Sequence, residues 1–316
     1  MRLNRLDLNQ LICLDALLAE KNVSRAATRV NLSQPAMSAA LTRLRDYFDD
    51  PLLMRIGRSM VVTSFAATLV EPVRNVLLQA QAIAARRPEN DPAKIQRDIA
   101  LTASDYMTTV VLQDIMKRAA SEAPGIRITI RPVSEFFGEL LDSGEVELMV
   151  SSTAAFIPGH PSERLFNEHY SCIAWSENPD IGDRISADEY YELGHVAIEW
   201  GRGRILTHDQ DASDKANRRR RNEVTVSNFN MAPGFIVGTR RIATMQTRLA
   251  QVMARQWPIR ILPCPIAIPP IEIGMQWNKH LTDDVALTWF RQLLRDMAKD
   301  LSRNSRRKRH GSDNRS

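Results

Sequence analysis

Between Ser24 and Phe48 the chain has room for two helices and only Leu32-Ser33 to join them. Helices joined so tightly must cross sharply, and that helix-turn-helix geometry restricts the fold more than any other feature of the sequence. Ahead of it, Leu8, Leu11, Ile12, Leu14 and Leu18 repeat as one amphipathic face and predict a first helix. Ser24 reads as the N-cap of a short helix from Arg25 to about Asn31, with Ala26, Ala27 and Val30 inward. Ser33 reads as the next cap, with Pro35 in the first turn, where a missing N–H is harmless. Met37, Leu41, Leu44 and Phe48 then form a buried stripe, and Gln34, Ser38, Thr42 and Arg45 share a polar face beside it.

Leu52-Leu53-Met54-Arg55 and Met60-Val61-Val62-Thr63 are short apolar runs around Ile56-Gly57-Arg58-Ser59, which predicts a β-hairpin, a wing beside the three helices. From Ser64 to about Arg86 there is no glycine, and Leu69, Val73, Val76, Ala80 and Ile83 keep heptad spacing, as a dimerising helix would. Pro72 opposes that reading by about 3 kcal/mol in an ideal helix, or kinks it. Arg86-Arg87-Pro88-Glu89-Asn90-Asp91-Pro92 reads as a hinge.

From Arg97 onward strands alternate with helices, which predicts an α/β body with largely parallel sheets. Strands fit 97–104, 126–131, 146–152, 170–175, 195–200, 223–226, 241–244, 259–262 and 271–277. Helices fit the stretch from 105 to about 122, then 135–141, 187–193, 230–238, 247–256 and 283–301. The irregular stretches 153–163 and 263–270 read as crossings between two lobes. At 316 residues, with 44% hydrophobic and 25% charged residues, the chain is an ordinary globular protein of two or three units. Residues 1–63 carry nine Lys/Arg against six Asp/Glu, residues 64–302 carry 27 against 30, and the tail 303–316 carries six against one. The tail lacks apolar content and reads as disordered. Cys13, Cys172 and Cys264 are odd in number and far apart, which fits a reducing, cytoplasmic compartment rather than a disulfide framework. No signal core and no apolar run of about 18 residues occurs, so the reading contains no membrane span.

A helix of the second position in such a motif fits the major groove of duplex DNA. Gln34 can bond adenine bidentately, Ser33 and Ser38 can serve bases or phosphate, and Arg43 and Arg45 suit phosphate. The wing residues Arg55 and Arg58 suit the backbone or minor groove. On helix geometry alone a plain three-helix bundle fits as well; the wing and the heptad helix favour DNA. Catalytic motifs are missing: there is no G-x-S-x-G, no H-E-x-x-H and no G-x-x-x-x-G-K-[ST]. The six histidines are scattered, so neither a catalytic nor a metal site is read, and no cofactor. Ser104, Ser151 and Asn228 stand at strand ends, where open α/β sheets gather ligands. Together they predict a polar, small-molecule cleft between lobes, where Trp200, Phe229 and Met231 can give apolar cover to a ring and the helix start at Ser104 suits a carboxylate or phenolate oxygen.

Asn31-Leu32-Ser33-Gln34-Pro35-Ala36-Met37-Ser38, the segment from Arg43-Leu44-Arg45 through Pro51-Leu52-Leu53, and Arg55-Ile56-Gly57-Arg58 resemble the LysR-type transcriptional regulators. Gly238-Thr239-Arg240-Arg241-Ile242-Ala243-Thr244-Met245, Pro258-Ile259-Arg260-Ile261 and Met275-Gln276-Trp277 resemble the branch of the nodulation protein D and aromatic-catabolism regulators. The resemblance implies an N-terminal winged helix-turn-helix, a linker helix and a two-lobed periplasmic-binding-protein-like effector domain. It also implies that Ser33, Gln34, Pro35, Ser38 and Arg43 lie at the DNA, and Ser104 and Asn228 near the effector. The boundaries expected are 1–63 for the head, 64–92 for the linker helix and hinge, and 93–302 for the effector domain. Within the last, one lobe is expected over about 93–163 and 268–302, and the other over about 164–267, with 303–316 as the basic tail. The expected function is an effector-responsive transcriptional regulator, an activator and not an enzyme. The partners expected are double-stranded DNA at an operator or promoter, a small aromatic effector, one or three further copies of the chain, and RNA polymerase. The competing reading is an α/β small-molecule-binding protein or enzyme with an N-terminal protein-interaction bundle.

Overall fold

A computed structural model of the chain describes residues 6–57, 59–85, 91–134, 136–199 and 208–312. The chain divides into two compact units, one of Met1–Pro88 with Asp142–Glu145 and His280–Val285, the other of the rest. Among the described residues no helix is long and apolar enough to cross a membrane.

The first unit begins with α1 (Leu8–Glu20), capped by Asp7, whose carboxylate accepts from the Gln10 N–H at 2.7 Å. The next helix, α2 (Val23–Arg29), is capped by Asn22 rather than Ser24; Asn22 Oδ1 accepts from the Arg25 N–H at 2.9 Å. Lys21 closes α1 in the left-handed region, so the chain turns early enough for Asn22 to take the cap. At the start of α3 (Gln34–Phe48) the Ser33 hydroxyl accepts from the Ala36 N–H at 3.3 Å, with Pro35 in the first turn as expected. The wing is β1 (Leu53–Ile56) paired antiparallel with β2 (Ser59–Val62), Leu53 opposite Val62 and Ile56 opposite Ser59. Gly57 holds the tight turn at φ +61, a conformation that a Cβ disfavours. Finally α4 (Ser64–Ala85) runs through Pro72, whose lost hydrogen bond falls on an exposed position.

Leu14, Leu17, Met37, Leu44 and Leu52 are fully buried at the centre of this unit. Because α1 packs against α2, α3 and α4, its buried arc is Cys13, Leu14, Ala16, Leu17 and Leu18. Leu8 and Ile12, expected inside, are 49% and 41% exposed. The heptad stripe of α4 is likewise divided. Leu69 and Val73 join the head's core, whereas Val76 and Ile83 stand 43% and 70% exposed. Asp50 ties the hairpin to α4: its Oδ1 accepts from the Leu52 N–H and the Thr63 hydroxyl, both at 2.7 Å, and Thr63 Oγ1 accepts from the Ala66 N–H at 3.0 Å.

In the second unit β3 (Arg97–Ala103) leads into α5 (Asp105–Met107), a π turn (Thr108–Leu112) and α6 (Gln113–Glu122). Then come β4 (Ile126–Arg131), α7 (Phe137–Asp142), β5 (Leu148–Ser152), β6 (Ser162–Glu168), β7 (Tyr170–Trp175), α8 (Ala187–Glu192), β8 (Gly194–Ile198) and α9 (His208–Lys215). They are followed by β9 (Arg221–Val226), α10 (Ala232–Ile236), β10 (Ile242–Gln246), α11 (Thr247–Met253), β11 (Ile259–Pro263), β12 (Ile271–Trp277) and α12 (Val285–Ser312).

Two five-stranded sheets result, ordered β4-β3-β5-β12-β6 and β11-β7-β10-β8-β9. Neither is largely parallel. In each, two pairings are parallel (β3 with β4 and β5; β8 with β9 and β10) and two are antiparallel. The chain crosses from one sheet to the other and back, and each returning strand enters antiparallel. The first crossing is at His169, not within 153–163. The segment 162–168, with Glu163, Arg164 and Glu168, shows no clean alternation, yet it forms edge strand β6 and pairs Ile271 with Glu168 and Ile273 with Phe166. The tail also differs from expectation, since α12 continues to Ser312. Arginine and lysine are good helix formers, and no proline or glycine interrupts them before Gly311.

Candidate functional site

The first site is the open side of the head. Met37, Ala40, Leu41 and Leu44 turn one face of α3 into the core, and the opposite positions Gln34, Pro35, Ser38, Thr42 and Arg43 are exposed. Asn31, at φ +55, and Leu32 form the connection that fixes the entry angle of α3, with the Leu32 N–H donating to Ala27 O at 2.9 Å. Ser33 spends its hydroxyl on the cap, and the Thr42 hydroxyl donates back to Ser38 O at 3.2 Å. Gln34 therefore offers an amide donor and acceptor on a rigid first turn, and Arg43 a cation about two and a half turns further along the helix. Such a surface can bond base edges and phosphates in a major groove.

Arg45 is a correction to the expected face. It is half-buried; its Nε donates to Pro51 O at 2.8 Å and its Nη2 to Leu53 O at 2.9 Å. It thus braces the end of α3 against the start of the wing instead of lying open beside Gln34 and Ser38. Arg55 is exposed on the hairpin, its Nε donating to Gly57 O at 3.2 Å, and Arg58 lies outside the described residues.

The second site is a cleft of about 780 Å³ in the second unit, lined from both sheets. From the first sheet's side come Ser104, Asp105, Phe137 and Ser151, and from the second Tyr170, Asn228, Phe229 and Gln246. Of the expected residues, Ser104, Ser151, Asn228 and Phe229 are brought together here. Met231 is 42% exposed and is not among the lining residues, because the turn capped by Asn228 carries it past the cleft. Trp200 lies outside the described residues. Ser104 and Asn228 are also caps: they accept from the Met107 and Met231 N–H groups, each at 3.2 Å.

Two residues absent from the sequence reading of this site matter most to its electrostatics. Asp105 Oδ2 accepts from the Asn230 N–H at 2.9 Å, whereas its Oδ1 is buried without a hydrogen-bond partner. Burial pushes the Asp105 carboxyl up, against backbone N–H groups, Asn230's first, that pull it down. Gln246, 3% exposed, likewise has a buried Oε1 without a partner. Gln246 ends β10, and a strand read as stopping at 244 misses it; carried two residues further, the same strand-end rule finds it. Behind the lining residue Tyr106, Glu168 is 1% exposed and accepts from Tyr106 OH at 2.5 Å and Arg248 Nη1 at 2.9 Å. Burial, and Glu168 beside it, hold the Tyr106 phenol well above its ordinary value, so it remains a donor.

A winged head with an open recognition helix, on the same chain as two mixed sheets flanking a cleft, is the architecture of a DNA-binding transcriptional regulator. Residues 8–67 match the bacterial regulatory helix-turn-helix of the lysR family, and residues 93–299 match the LysR substrate binding domain. The chain belongs to the LysR family of transcriptional regulators. It is 39% identical over 295 residues to nodulation protein D 2 of Rhizobium tropici, covering 93% of each chain. Among solved structures it is similar to the probable transcriptional regulator PA0477 from Pseudomonas aeruginosa (TM-score 0.61, 26% identity, 92% of this chain and 97% of that one). Full-length CbnR complexed with its target DNA shares the fold at a TM-score of 0.50 and 16% identity, over 93% of this chain and all of that one.

Proposed function

We propose that this regulator reads duplex DNA with the exposed face of α3 and the wing, and that a small aromatic effector in the cleft controls transcription from the bound site. The observation that carries the reading is the pairing, on one chain, of an uncovered Gln34–Ser38 surface with a cleft walled by Phe137, Tyr170 and Phe229. Gln34, Ser38 and Arg43 contact bases and phosphates, and Ser33 and Pro35 set the entry of α3. Arg55 follows the backbone from the wing. The relative named nodulation protein D and the solved CbnR–DNA complex support this assignment. The exposed Val76 and Ile83 on α4 support assembly into a dimer or tetramer, since a heptad stripe left open in one chain is covered by another. Work in the cytoplasm and contact with RNA polymerase belong to the same proposal.

For the effector to act, it must bind one lobe arrangement better than the other. Asn230 already links the lobes, through Asp105 and through Thr109, to whose hydroxyl its Nδ2 donates at 3.0 Å. A ligand in the cleft would act on these contacts. The test is fluorescence anisotropy on a duplex selected from a random pool and on a scrambled duplex, over a range of salt. Selective binding whose logarithm falls linearly with the logarithm of salt is expected. Equal affinity for the two duplexes would instead favour the protein-interaction bundle.

A further inference from the structure

The linker helix α4 has a joint and a brace across it. Pro72 has no N–H to give Thr68 O, so the helix ladder is interrupted between them. Before the joint, Ala66 and Leu69 lie in the head's core; beyond it Val73 and Leu77 still pack there, whereas Val76 and Ile83 are open. Apolar packing is non-directional, so two such side chains define only loosely the angle at which the far half of α4 leaves the head. Arg74 adds a directional bond. Its Nε donates to Asp15 Oδ1 on α1 at 3.0 Å, and the two side chains are only 21% and 19% exposed. Arg29 of α2 holds Asp15 from another side, its Nη2 3.8 Å from Asp15 Oδ2 and its Nη1 3.4 Å from Glu20 Oε1. The brace thus reaches α2, which the turn at Asn31 and Leu32 joins to α3.

We propose that Arg74 is a positioning residue for DNA recognition: through Asp15 it fixes the angle between head and linker helix, and so the spacing of the two half-sites that a dimer reads. The inference rests on α3 reading DNA and on α4 pairing two copies through Val76 and Ile83, and it deepens that reading. When two copies pair along α4, the seam beyond Pro72 is common to both, and each head is carried on it through the joint. The separation of the two α3 helices then follows from the angle at the joint, and half-site spacing mirrors that separation. Base pairs rise about 3.4 Å, so displacing α3 by that much moves the preferred spacing by one. Arg74 belongs to α4 and not to the exposed face of α3, so one head reads one half-site equally well without it.

The test uses a half-site taken from a duplex selected out of a random pool. Two copies are placed on duplexes whose spacers step one base pair at a time over about one helical turn, about 10 base pairs, and one further duplex carries a single copy. Anisotropy at fixed salt gives the affinity of the full chain for each, native and Arg74→Met. The native protein is expected to favour one spacing at least about tenfold over a spacing half a turn away. Arg74→Met keeps an unbranched stem for packing and loses the bond to Asp15. Its spacing preference should shrink by about threefold or more, the scale of a partly exposed ion pair, with single-site affinity within about twofold of native. A spacing profile unchanged in Arg74→Met, or a loss as large on the single half-site, overturns the inference. So does a flat profile from a native protein that sediments on the DNA as a dimer. A native protein that sediments there as one chain overturns the dimer reading and this inference with it. Melting curves identify a variant that fails to fold. Should Arg74→Met do so, Asp15→Asn, which removes the charge and keeps a carbonyl for Arg74, decides by the same profile.

Discussion

Arg248→Met tests how the two lobes are held at their crossing. Glu168 sits at the end of β6, 1% exposed, and its carboxylate has three partners: Arg248 Nη1 at 2.9 Å, Tyr106 OH at 2.5 Å and the His169 N–H at 2.8 Å. Arg248 is itself largely covered, its side chain 15% exposed, and its guanidinium lies 4.9 Å from the centre of the Phe166 ring. Taking the arginine away leaves a buried carboxylate with two neutral donors. Breaking a buried pair from one side costs about 3–5 kcal/mol, far more than an exposed pair. Glu168→Gln added to Arg248→Met removes the stranded charge and keeps an acceptor for Tyr106, so the double variant should recover much of that loss. Equilibrium urea unfolding of the three variants, followed by tryptophan fluorescence, gives the comparison. A loss below about 1 kcal/mol for Arg248→Met, or a double variant as unstable as the two single losses added together, would refute the buried-charge explanation.

Three further outcomes follow from the same geometry. Arg45→Met removes two hydrogen bonds to Pro51 O and Leu53 O, and should destabilise the head by about 1–3 kcal/mol while also weakening DNA binding through the displaced wing. Val76→Asp with Ile83→Asp changes positions already exposed in one chain, so sedimentation should report a smaller oligomer while the circular dichroism of the chain is unchanged. Asp105→Asn bears on stability through the titration of the native carboxyl. The native carboxyl titrates above its unfolded value, so ionising it costs the fold stability once the pH exceeds that unfolded value. The variant should therefore melt higher than the native protein near pH 7, with the gap closing as the pH falls below the carboxylate range.

The head was legible because its signals are local. Ser33, Pro35 and the 37-41-44 stripe specify α3 within fifteen residues, and Gly57 marks the wing's turn. What escaped depends on contacts distant in sequence. Leu8 and Ile12 have the right spacing for a core face, but the placement of α2, α3 and α4 around α1 turns that face outward. Arg45 shares a helix face with Ser38 and Thr42, yet its partners are carbonyls beyond the end of the helix, which periodicity does not register. In the second unit the strand-end rule placed Ser104, Ser151 and Asn228 at one cleft, because open α/β sheets converge there. It missed Asp105, adjacent to a chosen residue, since an acid opening a helix reads as a favourable first-turn charge. Met231 was drawn in by proximity to Phe229, and the turn between them separates the two.

The recognition surface itself is tested most directly through Gln34, which is exposed on the first turn of α3 and makes no contact that the fold requires. The quantity to measure is the ratio of affinities for a selected duplex over a scrambled one, by anisotropy at fixed salt, in the native protein and in Gln34→Ala. If α3 reads bases, the substitution lowers selected binding by about 1–3 kcal/mol and leaves scrambled binding nearly unchanged. An equal loss on both duplexes, or none on either, would contradict the account.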